Sequence, residues 1–253
     1  MRFRLFFSLI CLTAFSLFVS AAGLTDETLK YTVSYKWGLI HKDAGTATLT
    51  LRNNGSNYNL KLTAASKPWA DKIYKVRDTL LSTVSKQGFR PRSYTRIAHE
   101  DNKYSRDHIA YSYSGNKVTA TATRMRQRDD GMREVHTTLS ANGAAYDLLS
   151  VFYYLRLIDY SKLGPGKVVV TTLFSGKQSE NVRIKAVGVE TIKLKDKTKV
   201  KALHIKFNFT TAGKKKSSED IDAWLSDAPR HIPLLVVGSL PVGQIRCYLT
   251  SKI

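Results

Sequence analysis

The chain has 253 residues, of which 43% are hydrophobic and 24% charged. That balance excludes an intrinsically disordered chain and supplies a core that needs no disulfide staples. Lysine and arginine number 40 against 20 acidic residues, a formal net charge of +20, which points to an anionic neighbour (membrane surface, polysaccharide, lipid headgroup or nucleic acid) without choosing among them.

Met1-Arg2-Phe3-Arg4 precedes an apolar run from Leu5 to Val19 and then Ser20-Ala21-Ala22-Gly23. Basic start, apolar middle and small-residue end read as a signal peptide over residues 1–22, cut after Ala21 or Ala22. Residues 23–253 are then one exported domain. The apolar run is shorter than the roughly 20 residues of a spanning helix, and no later run is long enough to span. Cys11 follows Ile10 inside the apolar run, which argues against lipidation. Cys247 would be the one cysteine left after cleavage, so no internal disulfide is expected. It alternates with Ile245 and Leu249 and reads as a buried strand residue.

Period-2 alternation dominates the remainder. Leu29, Tyr31, Val33, Tyr35 and Trp37 share one face of a first strand. Ala47, Leu49 and Leu51 precede the turn Asn53-Asn54-Gly55-Ser56-Asn57, and Tyr58, Leu60, Leu62 and Ala64 follow it. Ile109, Tyr111 and Tyr113 lead to Ser114-Gly115-Asn116, with Val118, Ala120 and Ala122 beyond. Arg128-Asp129-Asp130-Gly131 makes the next turn. Ala144 to Tyr160 breaks the pattern. It lacks Gly and Pro, and Leu148, Leu149, Phe152, Leu155 and Ile158 have helical spacing, so a helix within residues 144–160 is expected. Leu163-Gly164-Pro165-Gly166 ends it. Strands resume at Val168, and Leu203, Ile205, Phe207 and Phe209 share a later face. Lys214-Lys215-Lys216 reads as a solvated hairpin tip. The fold class is mainly β: an antiparallel barrel, half-barrel or strongly curved sheets of about a dozen strands with one mid-chain helix.

Three segments carry a family resemblance. They are Tyr31 to Gly45, with Trp37-Gly38 and Ala44-Gly45; Tyr146-Asp147-Leu148-Leu149-Ser150 through Arg156; and Trp224-Leu225-Ser226-Asp227 through Pro233, followed by Val242-Gly243. Together they resemble a bacterial exported family catalogued as domain of unknown function family 3108. The resemblance implies an exported, β-rich single domain of the periplasm or the periplasmic face of the envelope. It brings no catalytic residues.

Candidate site residues each have a structural and a functional reading. Asp147 and Arg156 suit the two ends of the expected helix, a carboxylate at the positive end and a guanidinium at the negative one. Arg156 is alternatively a bidentate grip on an anionic headgroup. Trp224, Asp227, Arg230 and Pro233 read as a corner between strands, with Asp227 and Arg230 a local ion pair, or as a cavity rim with Trp224 stacking on sugar or lipid. Arg124, Arg126 and Arg128 alternate and so share a strand face, either solvated or in contact with a polyanion. Histidines 41, 99, 108, 136, 204 and 231 show no metal-ligand spacing, and there is no nucleophile elbow or phosphate loop. Neither a metal nor another cofactor is expected.

Three functions compete, the third being an unrecognised hydrolase, which convergent His and carboxylate groups in a cleft would favour. The first is a non-enzymatic envelope protein that binds an apolar or anionic component such as lipid, lipopolysaccharide or glycolipid. The second is an interaction module that docks a protein or polysaccharide through its basic surface. An open apolar cavity favours the first and a filled interior the second. Export argues against nucleic acid.

Overall fold

A computed structural model describes residues 24–163, 166–211, 213–214, 217–227 and 229–251. The expected signal peptide, residues 1–22, lies outside these residues, as do Gly164, Pro165, Lys215, Lys216 and Ala228.

Eight strands follow one another first: β1 (Glu27–Trp37), β2 (Ile40–Asn54), β3 (Asn57–Ser66), β4 (Val76–Ser85), β5 (Arg90–Glu100), β6 (Lys103–Ser114), β7 (Lys117–Arg128) and β8 (Gly131–Asn142). A single helical turn, α1 (Pro68–Asp71), links β3 to β4. The second half holds β9 (Ala145–Tyr146), α2 (Ser150–Leu157), β10 (Val168–Phe174), β11 (Ser179–Lys193), β12 (Lys199–Thr211), β13 (Ile221–Ser226), β14 (Pro233–Ser239) and β15 (Gln244–Leu249).

All fifteen strands form one sheet. The first eight meander outward from β1, and the last six meander back until β15 pairs with β1, Tyr31 opposite Leu249. Every pairing is antiparallel except β9 with β10. The strands curl into a nearly closed barrel, as the regular turns and alternating faces predict. Gly38, Gly55 and Gly115 take positive φ at the turns that the sequence marks.

The interior is filled. Ser150, Val151, Tyr153, Tyr154, Leu155 and Arg156 are all buried. At 100° per residue these positions point in every direction, so sheet and loops surround α2. Aromatic rings continue the packing: Tyr58 meets Phe89 at 6.3 Å, Phe89 meets Tyr146 at 6.2 Å, and Tyr146 stacks on Tyr154 at 4.5 Å. Across the barrel, Tyr111 stacks on Phe174 and Phe152 meets Phe207 edge-on. Such pairs add about 0.5–1.5 kcal/mol each beyond area burial.

The expected helix does fall within residues 144–160, and it is eight residues long. Ala145 and Tyr146 are drawn into β9, where they pair with Thr172 and Leu173, and Ile158 turns to extended backbone. Strand pairing takes backbone groups that a helix would have used internally. One expectation needs correction: the first strand's apolar face does not continue to Trp37. A β-bulge between Val33 and Ser34 shifts the register, so Ser34 is fully buried while Trp37 is 54% exposed.

Two of the glycines quoted for the family resemblance have steric reasons. A Cβ on Gly45 would lie 2.7 Å from Ala65 O, and one on Gly243, at φ +81°, would collide with Lys36 O. Both allow backbones to approach more closely than any side chain permits.

Candidate functional site

Glu27 falls on the same alternate positions as Leu29 and Tyr31, so β1 carries its carboxylate to the inner face. The bulk of α2 then places Arg156, in the last helical turn, directly against it. Arg156 Nη1 and Nη2 donate to Glu27 Oε1 and Oε2, the latter at 3.1 Å. Both side chains are essentially excluded from solvent. Arg230, from the β13–β14 loop, donates its Nη2 to Glu27 Oε2 at 2.7 Å. Arg156 Nε donates to Arg230 O at 3.2 Å, and its guanidinium lies 5.0 Å from the Tyr153 ring centre. His231 Nδ1 lies 3.0 Å from Arg156 O, and Tyr31 Oη donates to Pro233 O at 3.0 Å. The three family-resembling segments therefore meet in space at a buried acid held by two arginines. Arg230 pairs with Glu27, not with Asp227 as the sequence suggested. Arg156 is spent on this lock and offers no grip to an outside anion.

Asp147 is fully buried and precedes α2, so it is not a residue of the helix. Its carboxylate accepts from Leu149 N (2.9 Å), Ser150 N (2.8 Å) and Ser82 Oγ (2.8 Å). It caps two orphan donors of the helix start and ties them to β4. Burial is the dominant influence and raises its pKa above the ordinary carboxylate range, against these hydrogen bonds. The folded state thus holds the proton to higher pH than the unfolded chain does. Stability from this group is complete below the unfolded value of about 4 and is lost as pH rises through the folded value. Asp147→Asn, which cannot ionise, is expected to flatten that decline. Denaturation midpoints of both proteins between pH 4 and 7 measure it.

Arg124, Arg126 and Arg128 do share one face of β7, and it is the face of Val118, Ala120 and Ala122. The row therefore continues the barrel's inner surface; it is not an outward basic strip. Register sets Arg124 opposite Asp107 of β6. Arg126 Nη1 lies 2.6 Å from Asp107 Oδ1, and Nη2 donates to Oδ2 at 2.8 Å. Arg124 Nε is 3.4 Å from Asp107 Oδ1, a charge contact without hydrogen-bond geometry. Asp107 is 6% exposed. Of the three, Arg128 alone faces solvent, beside a cleft of about 430 Å³ that also contains Lys103, Asp129, Asp130 and Arg133. Arg133 and Asp130 pair there at 2.5 Å.

Trp224 lies on the outer face of β13, away from Arg230. Its ring stacks on His204 at 4.5 Å and its Nε1–H donates to Glu190. His204 stands between Glu190 (3.1 Å) and Asp222 (2.6 Å). One face of the Trp ring is covered by this imidazole. Cys247, expected to be buried, is half-buried; burial pushes its thiol up to about 11, which disfavours the thiolate that reacts. Among the described residues, no group of three or more His, Cys, Asp or Glu is placed to hold a metal ion, and no helix is long and apolar enough to cross a membrane.

A family model described as "Protein of unknown function (DUF3108)" matches residues 30–250. The chain belongs to that family. The match spans all fifteen strands except the first three residues of β1, so the Arg156 and Arg230 ends of the lock fall inside it and Glu27 just outside. Among solved structures, the chain is similar to the crystal structure of a β-barrel-like protein of domain of unknown function DUF1849 from Brucella abortus. The TM-score is 0.60 over 90% of this chain and 97% of that one, at 11% identity, a likeness of fold alone. Among curated proteins no relative matches.

Glu27 and Asp107 are the charged partners that sequence reasoning missed. The signal was present in both cases. Each is an acid on the apolar alternation of its strand, Glu27 with Leu29 and Asp107 with Ile109.

Proposed function

We propose that this protein is an exported, non-enzymatic envelope module that docks anionic envelope material on its basic outer surface, with a closed and packed interior. The observation that carries this reading is the filled barrel. Helix α2, six fully buried Tyr and Phe side chains and the Glu27–Arg156–Arg230 lock occupy the space a carried lipid would need. Two clefts, of about 430 and 540 Å³, open on the outside; the first is lined mainly by charged residues, and the second mixes Arg183, Lys185, Lys206 and Asp220 with Val168, Ala186 and Val187. This favours the interaction module over the internal carrier, and the net charge of +20 sets the sign of the partner.

The test has two parts. N-terminal sequencing of the protein from an envelope fraction is expected to begin near Ala22 or Gly23; a retained Met1 in a cytosolic pool counts against export. Purified protein is expected to bind lipopolysaccharide or anionic liposomes at low salt and to release them as salt rises, since the Debye length falls from about 10 Å at 0.1 M to about 3 Å at 1 M. Salt-independent binding, or none, rejects the electrostatic reading.

A further inference from the structure

The outer face of β10, β11 and β12 carries a groove of about 540 Å³ whose lining includes Val168, Arg183, Lys185, Val187, Lys206 and Asn208. The register fixes its charge. Lys185 stands directly opposite Lys206 on β12 and Val168 on β10, while Arg183 stands opposite Asn208 and Val170. Like charges directly across a ladder oppose folding. They are also poorly neutralised. Among the described residues, Arg183 and Lys185 have no carboxylate within ion-pair distance, and Lys206 has only Asp222 at 3.4 Å. Asp222 is the same carboxylate that holds His204 at 2.6 Å. Asp220, the groove's acid, accepts from Asn208 Nδ2 at 2.8 Å.

A second feature lies beside the cations. β11 is bulged between Ala186 and Gly188, so Val187 has no partner in the ladder and is 52% exposed. Bulges re-aim side chains and recur next to functional sites. Val168 and Val170 are exposed beside it. Three outward valines flank three outward cations on a face where the fold requires neither.

We propose that this groove is where the protein meets a membrane, with phosphate groups of an anionic lipid over Arg183, Lys185 and Lys206 and the lipid's apolar part against Val168, Val170 and Val187. The inference rests on the reading of the protein as a module that docks anionic material, and it names the surface and the ligand class. Charge complementarity selects an anion, and the valines select an amphiphile over a polysaccharide. The cleft by Arg128 lacks this pairing of features, since Asp129 and Asp130 already offset its cations and no apolar residue lines it.

The experiment is co-sedimentation of the full chain with phosphatidylcholine vesicles containing phosphatidylglycerol, and with pure phosphatidylcholine, at low and high salt. Arg183→Gln/Lys185→Gln/Lys206→Gln is compared with Lys30→Gln/Lys61→Gln/Lys117→Gln, which removes the same charge from exposed positions elsewhere. Each cation near an anionic surface contributes enough that the groove variant is expected to bind at least about tenfold more weakly than the control variant. Its denaturation midpoint is expected to hold or rise, because the Lys185–Lys206 repulsion is gone. Val168→Ser/Val170→Ser/Val187→Ser is expected to weaken the binding that survives high salt. Equal losses in the groove and control variants overturn the proposal, as does a groove variant that loses stability along with binding. If the wild type ignores phosphatidylglycerol vesicles yet binds an anionic polysaccharide that carries no lipid, the lipid groove is wrong and the docking function stands. If it binds neither, both fall.

Discussion

Arg156→Ala is expected to cost about 3–5 kcal/mol of folding stability, because it strands the Glu27 carboxylate inside the barrel. Glu27 and Arg156 are nearly solvent-free, so water cannot replace the lost fork. Arg230 remains on one carboxylate oxygen, and it cannot supply the second Nη contact or the Nε donor to its own carbonyl. Arg156→Lys keeps the charge and loses the planar bidentate geometry, so it is expected to recover only part of the stability. Glu27→Leu with Arg156→Met removes both charges at similar volume and is expected to be more stable than Arg156→Ala alone, since the cost lies in an unpaired buried charge and not in the absence of a pair. Urea denaturation of the three variants measures the order. A loss below about 1 kcal/mol for Arg156→Ala would show that water reaches Glu27.

Replacing Arg124 and Arg126 together by Gln is expected to cost about 3 kcal/mol, because Asp107 is buried and loses both of its cations. Sequence alone offered this row as a strand face either solvated or in contact with a polyanion, where neutralisation would leave folding nearly intact. Arg128→Gln fits that description and is expected to stay within about 0.5 kcal/mol of wild type. Adding Asp107→Asn to the Arg124/Arg126 variant is expected to restore part of the loss, since no unpaired charge then remains. Denaturation midpoints of these proteins separate a structural pair from a surface patch. The result also bears on function. Loss of ligand binding in an Arg124 or Arg126 variant is informative only where its fold is shown to be intact.

Arg156, Trp224 and Arg230 were all legible in the sequence as residues of interest, yet the structure assigns them to different work. Arg156 and Arg230 meet at Glu27, whereas Trp224 is on the other side of its sheet, stacked on His204. The groove at Lys185 and Lys206 left no sequence motif. Its cations belong to different strands, and only the ladder register sets them opposite each other.

What the sequence determined by itself was the alternation: where strands run, where Gly55 and Gly115 turn them, and which residues of a strand share a face. Those features follow from backbone geometry over a few residues, where successive side chains point to opposite sides and a tight turn needs positive φ. Even the inward direction of the arginine row was implicit, since Val118, Ala120 and Ala122 precede it in the same alternation. Only the tertiary structure decided how long the helix is, because pairing of Ala145 and Tyr146 with β10 competes for the backbone groups a helix would use. It alone decided where β1 changes face, because the bulge at Ser34 is fixed by the register against β2. It alone joined Glu27 to Arg156 across 129 residues of chain. A local pattern can place a charge on an inner face, but the partner that makes its burial tolerable is chosen by how the whole sheet closes.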